Sequence, residues 1–268
     1  MNTLKIKTDL QNLGIKETDT IVIHSSYKSL LHDQGNKTGK IDGGPEAVIE
    51  AFKDTVKNGT LMLPALSYEN VTPENRVFNV LSTPSCVGIL PEVMRKSSGV
   101  YRSVHPTHSI AVWGKDAKEI AAAHIKDFTP VGPNSPLHEL KRRKGKIVML
   151  GCGLEPNTSM HGIEEMTVPE YLYGENYDYE LVLYDGRRVK TNILSHNFSG
   201  FEQRYDKIPD VLAEIDYTFG KVLNADCYVL NAEAVWEKAL QKLKEDPLYF
   251  VDKICNSDEN CKNEEKGE

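Results

Sequence analysis

Residues 146–165 read KIVMLGCGLEPNTSMHGIEE. Lys146 to Leu150 is a short apolar run, as expected of a buried strand. Gly151 and Gly153 then turn the chain, and a helix is expected to start near Thr158. A strand that ends in a glycine turn and passes into a helix is an α/β signature, and ligands bind at such strand ends in open α/β sheets. Thr158, His161 and Glu164 follow at i, i+3 and i+6, so neighbours in the series share a helix face. An imidazole titrates near neutral pH and serves as a general base when a second group fixes its tautomer. A carboxylate one turn away can do that. Equally, Thr158 can be a helix cap, with His161 and Glu164 an exposed polar pair.

Outward from this stretch, strands and helices alternate. Thr3 to Leu13 has helical spacing and stops at Gly14. TIVIH (20–24) and TLMLP (60–64) read as buried strands. Gly43-Gly44-Pro45 opens a helix over EAVIEAFKDTV, with the proline in its first turn. A helix is expected from Val87 to Lys96, capped by Ser85 or Thr83. A strand follows from Ser109 to Trp113, then helices at 117–123 and 135–141. The runs 179–184 and 187–193 flank Asp185-Gly186, a strong hairpin signal. Helical patterns resume at Phe201–Leu212 and Ala232–Lys244. Layered α/β is the fold class this alternation predicts, with an antiparallel addition from the hairpin. The chain reads as one α/β domain over residues 1–251, followed by a charged tail over 252–268.

Three further segments carry chemistry-bearing side chains. RSVHPTHSIAVWG (102–114) has His105 and His108 in an H-x-x-H spacing, and Pro106 holds His105 extended. That pair could ligate a metal, or could be a turn entering a core strand; no carboxylate or cysteine stands at regular ligand spacing beside it, so no metal is expected. His24, Ser25 and Ser26 follow the first buried strand, where exposed N–H groups could meet an oxyanion or the hydroxyls could simply bond their own backbone. In SHNFSGFEQRYDKIP, His196 follows the hairpin, and Glu202 and Asp206 fall one turn apart on the expected helix. They could receive ammonium groups or form a solvated face. Neither G-x-S-x-G nor a Walker or G-x-G-x-x-G pattern is present.

The 268 residues carry 39 acidic against 32 basic side chains, a formal charge of −7, which disfavours nucleic-acid backbones and favours a cationic small molecule. No apolar run approaches the length of a membrane span, and MNTLKIKTDLQNLG lacks a secretory apolar stretch, so no membrane partner is expected. The five cysteines (86, 152, 227, 255 and 261) form no C-x-x-C pair and point to a reducing, cytoplasmic setting.

Seven pieces together resemble the aminoglycoside 3-N-acetyltransferase family: IVIHSSYKSL (21–30), GGPEAVIEAF (43–52), GTLMLPALSY (59–68), TPSCVGILPEVMRK (83–96), YRSVHPTHSIAVWG (101–114), TPVGPNSPLHEL (129–140) and the stretch 146–165. They run in the family's order over roughly Leu4 to Leu243. The resemblance implies the family's own layered α/β fold with a mixed sheet, distinct from the common N-acetyltransferase fold. It implies acetyl-CoA as co-substrate, an aminoglycoside-like cationic amine as acceptor, and antibiotic resistance as the associated trait; it also allows a homodimer. In the family's T-x-x-H-x-x-E motif the histidine is taken as base; that position is His161, with Thr158 and Glu164 as companions. His24, Ser25 and Ser26 match the H-S-S segment near the pantetheine end. Ser103, His105 and Ser109 are implied near the acyl-CoA and acceptor sites. Many members place a tyrosine after the motif, where this chain has Glu165-Met166. A member acting on a different amine, or one no longer catalytic, is the alternative.

Overall fold

The computed structural model describes residues 2–33, 36–37 and 39–254. In chain order the strands are β1 (Thr20–Ser25), β2 (His32–Asp33), β3 (Asn36–Lys37), β4 (Thr60–Pro64), β5 (Val77–Asn79), β6 (Val100–Arg102) and β7 (Ile110–Gly114). Then come β8 (Lys146–Leu150), β9 (Tyr173–Val182), β10 (Arg188–His196), β11 (Phe201–Gln203), β12 (Tyr217–Val222), β13 (Ala225–Asn231) and β14 (Val251–Lys253). Seven of them form a mixed sheet in the order β12-β13-β8-β1-β4-β7-β6. The central three are parallel, and antiparallel pairs flank them on both sides.

Successive side chains of the central strands feed two cores. Ile21 and Ile23 join the core built with the helices Asn2–Asn12, Gly44–Thr55 and Ile89–Lys96. Val22 points to the opposite core, built with Ala117–Ala123, Pro136–Arg142, Ser159–Glu164 and Ala232–Glu245. Strands covered on both faces must be apolar throughout, which is why TIVIH, TLMLP and KIVML read as continuous runs. The layered α/β fold with a mixed sheet is therefore as the sequence implies. No helix among the described residues is long and apolar enough to cross a membrane.

The hairpin of β9 and β10 does not join the main sheet. It pairs instead with β5 and closes its own small core around Phe78, Tyr179, Leu181 and Ile193. A register shift between Leu194 and His196 bends the end of β10, the means by which a bulge re-aims a side chain.

Three local expectations are corrected. The helix Ile89–Lys96 starts at Gly88 rather than at a Ser85 or Thr83 cap; Ser85 instead gives its N–H to Glu92, and the Thr83 hydroxyl accepts from Asn79. Phe201–Leu212 is not one helix. Phe201–Gln203 pairs as a strand with Val251–Lys253, and only short turns and the helix Ile208–Val211 follow, with Pro209 in its first turn. Glu202 and Asp206 are consequently not a helical pair; Asp206 is bound by Arg204. Finally, Asp252 and Lys253, expected to begin the tail, are part of β14, and Asp252 is held by Arg204 and Lys207. The rest of the expected tail, with Cys255 and Cys261, lies outside the described residues.

Candidate active site

A cavity of about 500 Å³ opens at the carboxyl ends of the parallel strands. His24 and Ser25 reach it from β1, Pro64 from β4, and Cys152, Glu155, Thr158 and His161 from the segment after β8. Thr107 and His108 form another wall, and Ser195 and His196 at the end of β10 another. The turn out of β8 depends on Gly151, at φ 66°, where a Cβ would lie 2.5 Å from that of Ser29. Helix Ser159–Glu164 then packs so tightly that a Cβ on Gly162 would meet the Trp236 ring at 2.5 Å. That contact sets the rotation of the helix and hence the aim of His161.

His161 rests on a buried acid. Its Nδ1 stands 3.3 Å from Glu164 Oε2 and 3.1 Å from the Tyr205 hydroxyl. Tyr205 donates to Glu164 Oε2 at 2.8 Å, and Tyr171 donates to Oε1 at 2.9 Å. Tyr205 has a single proton and spends it on Glu164. Both neighbours of His161 Nδ1 are then acceptors, so Nδ1 carries the hydrogen and Nε2 presents a lone pair. Among the described residues Nε2 makes no hydrogen bond, and the ring lines the cavity. Glu164 is fully buried behind it. Burial and the adjacent Glu164 charge hold the Tyr205 phenol well above its ordinary pKa, so it stays a donor.

A second pair stands one residue along. His196 Nε2 donates to Glu165 Oε1 at 2.9 Å, and Glu165 also accepts from the Thr129 hydroxyl and the Val131 N–H. His108 Nδ1 stands 2.8 Å from the Thr107 hydroxyl. Burial, then neighbouring imidazoles, holds His108 and His196 well below the usual histidine range, and pushes His24 down to about 3. All three are neutral at physiological pH. Burial pushes the Cys152 thiol up to about 12, which removes it as a nucleophile.

Of the residues expected from sequence, His24, Ser25, Thr158 and His161 line the cavity, and Glu164 backs His161. Thr158 does not cap its helix with its side chain; Asn157 Oδ1 accepts from the Ser159 N–H. Ser26 gives its N–H to Leu150 O at 2.9 Å, so this donor is already engaged and not free for an oxyanion. Its hydroxyl accepts from Ser29. Ser103, His105 and Ser109 are fully buried and do not line the cavity. Ser103 bonds His124 and the Ile110 N–H, His105 stacks on His124 at 4.9 Å, and Ser109 joins Arg102 to Ala65 O. They brace the wall that carries His108. The H-x-x-H pair therefore diverges: His105 faces the core and His108 the cavity. Tyr171, Tyr205 and the His196–Glu165 pair escaped the sequence reading, because their partners lie far away in the chain.

A family model described as aminoglycoside 3-N-acetyltransferase matches residues 30–244. Aminoglycoside N(3)-acetyltransferase VII of Streptomyces paromomycinus is 33% identical over 205 residues, covering 69% of this chain and 67% of that protein. The structure of YokD from Bacillus subtilis superposes with a TM-score of 0.77 at 26% identity, covering 92% of this chain and 95% of that one. A mutant of aminoglycoside acetyltransferase AAC(3)-IVa, in complex with a gentamicin, gives 0.75 at 25% identity, covering 93% and 90%.

Proposed function

The chain belongs to the aminoglycoside 3-N-acetyltransferase family and is an enzyme of that class, and from that premise we propose that it passes the acetyl group of acetyl-CoA directly to an amine of an aminoglycoside-like polycation, with His161 as general base. The observation that carries this reading is the contact of His161 Nδ1 with the buried Glu164 and Tyr205, from which the tautomer follows. Glu164 and Tyr205 hold the hydrogen on Nδ1, and the Nε2 lone pair faces the cavity where two substrates would meet.

The chemistry follows. An ammonium cannot attack a thioester. The acceptor's ammonium first gives one proton to solvent; as the neutral amine's lone pair attacks the carbonyl carbon, His161 Nε2 takes the second proton, the one the forming amide must lose. A carbon–nitrogen bond forms, the carbon–sulfur bond breaks, and the proton held by His161 is returned to the departing thiolate. General-base help of this kind is worth about 10²–10⁴ in rate. Glu164 stabilises the imidazolium at the moment it forms and keeps the ring from rotating. Thr158 stands beside the base, and His24 and Ser25 form the floor on which the pantetheine arm would lie; Ser26 does not line it. Ser103, His105 and Ser109 position that wall rather than touch the cofactor. The apolar lining from Ile23, Pro64, Leu66, Val87 and Pro91 suits an acyl chain and its sulfur. Exposed Glu155 is a carboxylate on the rim to receive an ammonium group. The neutral Cys152 favours one direct transfer over an acetyl-cysteine intermediate.

Thiol release from acetyl-CoA, measured across a panel of aminoglycosides, polyamines and simple amines, tests this. Release that requires a polycationic acceptor and yields the acetylated amine is expected. Absence of release with every member of the panel would return the chain to a CoA-binding protein without catalysis.

A further inference from the structure

The transfer just described makes no use of His196. Glu165 anchors its Nε2, which leaves Nδ1 buried and without a hydrogen-bond partner among the described residues. Buried polar atoms in that state are uncommon and point to a missing partner. The His108 ring centroid lies 5.2 Å from that of His196 and 5.6 Å from that of His161, and the His161 and His196 rings are 5.0 Å apart. One nitrogen from each of the three comes within 4.8 Å of the other two.

We propose that His108, His161 and His196 bind a single divalent transition-metal ion, zinc by preference, and that this ion switches the acetyl transfer off. Three imidazole nitrogens are a donor set for zinc, cobalt, nickel or copper, not for magnesium or calcium. A point among atoms no more than 4.8 Å apart lies at most about 2.8 Å from each in their plane. Zinc–nitrogen bonds are about 2.0–2.1 Å, so each ring needs to move inward by less than about 1 Å.

The outer contacts strengthen the assignment. Metal-bound imidazoles typically give their other N–H to a carboxylate or another oxygen, which fixes the tautomer and the ring. Here His161 turns to Glu164, His196 to Glu165 and His108 to the Thr107 hydroxyl. Each ring is tethered on one side and open on the other. A lone pair given to a metal cannot take a proton from an amine, which makes the ion an inhibitor. That second half rests on the reading of His161 as base; the metal site does not.

Tag-free protein, stripped with chelator and exchanged into metal-free buffer, is titrated with Co²⁺ by visible absorption and with Zn²⁺ by calorimetry. One ion per chain is expected, with the ligand-field bands of a nitrogen-coordinated cobalt. His108→Ala and His196→Ala each weaken binding at least tenfold, and Glu165→Gln by about 10–100-fold. His196→Asn serves where the alanine variant fails to fold. Zinc also blocks thiol release, and chelator restores it. No stoichiometric binding, or equal binding by His108→Ala and His196→Ala, would overturn the site. Zinc bound at one equivalent with turnover untouched would overturn the inhibition and the base role while leaving the site. An inactive His161→Ala enzyme whose wild type takes up no metal would do the reverse.

Discussion

The hydroxyl of Tyr205 stands 2.8 Å from Glu164 Oε2 and gives it its only proton. That one bond decides the tautomer of His161, whose Nδ1 lies 3.1 Å from the Tyr205 hydroxyl and 3.3 Å from Glu164 Oε2. The consequence is sharp for His161→Ala. Transfer falls by about 10²–10⁴, while the affinity for CoA, measured by calorimetry, stays within about twofold. Near-normal turnover in that variant would take the base role away from His161.

In the proposed transfer Glu164 acts through the imidazole rather than on the substrates. Glu164→Gln keeps the shape but replaces an acceptor-only group with one that also donates, so one of its three donors meets an N–H₂. Its turnover number is expected to drop about 10²-fold with the KM for acetyl-CoA unchanged, and Tyr205→Phe is expected to drop it less. A rise in KM without loss of turnover in either variant would mark a binding role instead.

In the proposed transfer exposed Glu155 supplies a different kind of contact. An exposed ion pair contributes about 0.2–1 kcal/mol, so Glu155→Gln should raise the KM for a polycationic acceptor by about 1.4- to fivefold. The effect should shrink as salt is added. An unchanged KM at low salt would place the acceptor elsewhere in the cavity.

Much of this architecture was legible because local pattern and tertiary role coincide. KIVML and TLMLP are strands at the expected residues because burial on both faces leaves no other reading. The loop after β8 was legible as a site for the same reason. Side-chain pairs far apart in sequence were not. Tyr205 reaches Glu164 across 41 residues, and His196 reaches Glu165 across 31. Phe201–Gln203 looked helical because its strand partner, Val251–Lys253, comes about 50 residues later. H-x-x-H suggested a joint role for His105 and His108, but they face opposite ways: His105 stacks on His124, and His108 meets His161 and His196.

Arg102 holds the wall that carries His108. It is 2% exposed, and its guanidinium donates to Ser109, Thr83 O and Ala65 O while lying 4.9 Å over the Phe78 ring. Burial, with Arg95 nearby, lowers it to about 10, still charged at neutral pH. Arg102→Met leaves Thr83 O without its donor in a dry interior, at about 1–3 kcal/mol, while Ala65 O keeps the Ser109 hydroxyl. Denaturant unfolding should therefore show a loss of about 1–3 kcal/mol. A loss below about 1 kcal/mol would mean that water or another donor replaces the guanidinium.

Acid should destabilise the protein well before its carboxylates titrate. Burial is the leading cause that holds His24 at about 3 and His124 at about 4, and it keeps His105, His108 and His196 well below the histidine norm. In the unfolded chain the same side chains titrate near 6.5. Above that pH both states are neutral and these groups contribute nothing. As the pH falls through 6.5, only the unfolded state takes up their protons, so folding weakens. Each histidine contributes a slope of about 1.4 kcal/mol per pH unit, continuing toward its own folded value. Urea unfolding at pH 7, 6 and 5 should show stability falling with several protons taken up, and His24→Gln should lower that number by one. Stability that stays level from pH 7 to 5 would mean that these imidazoles take up protons in the fold as readily as in the unfolded chain, and that burial does not hold His108 and His196 neutral.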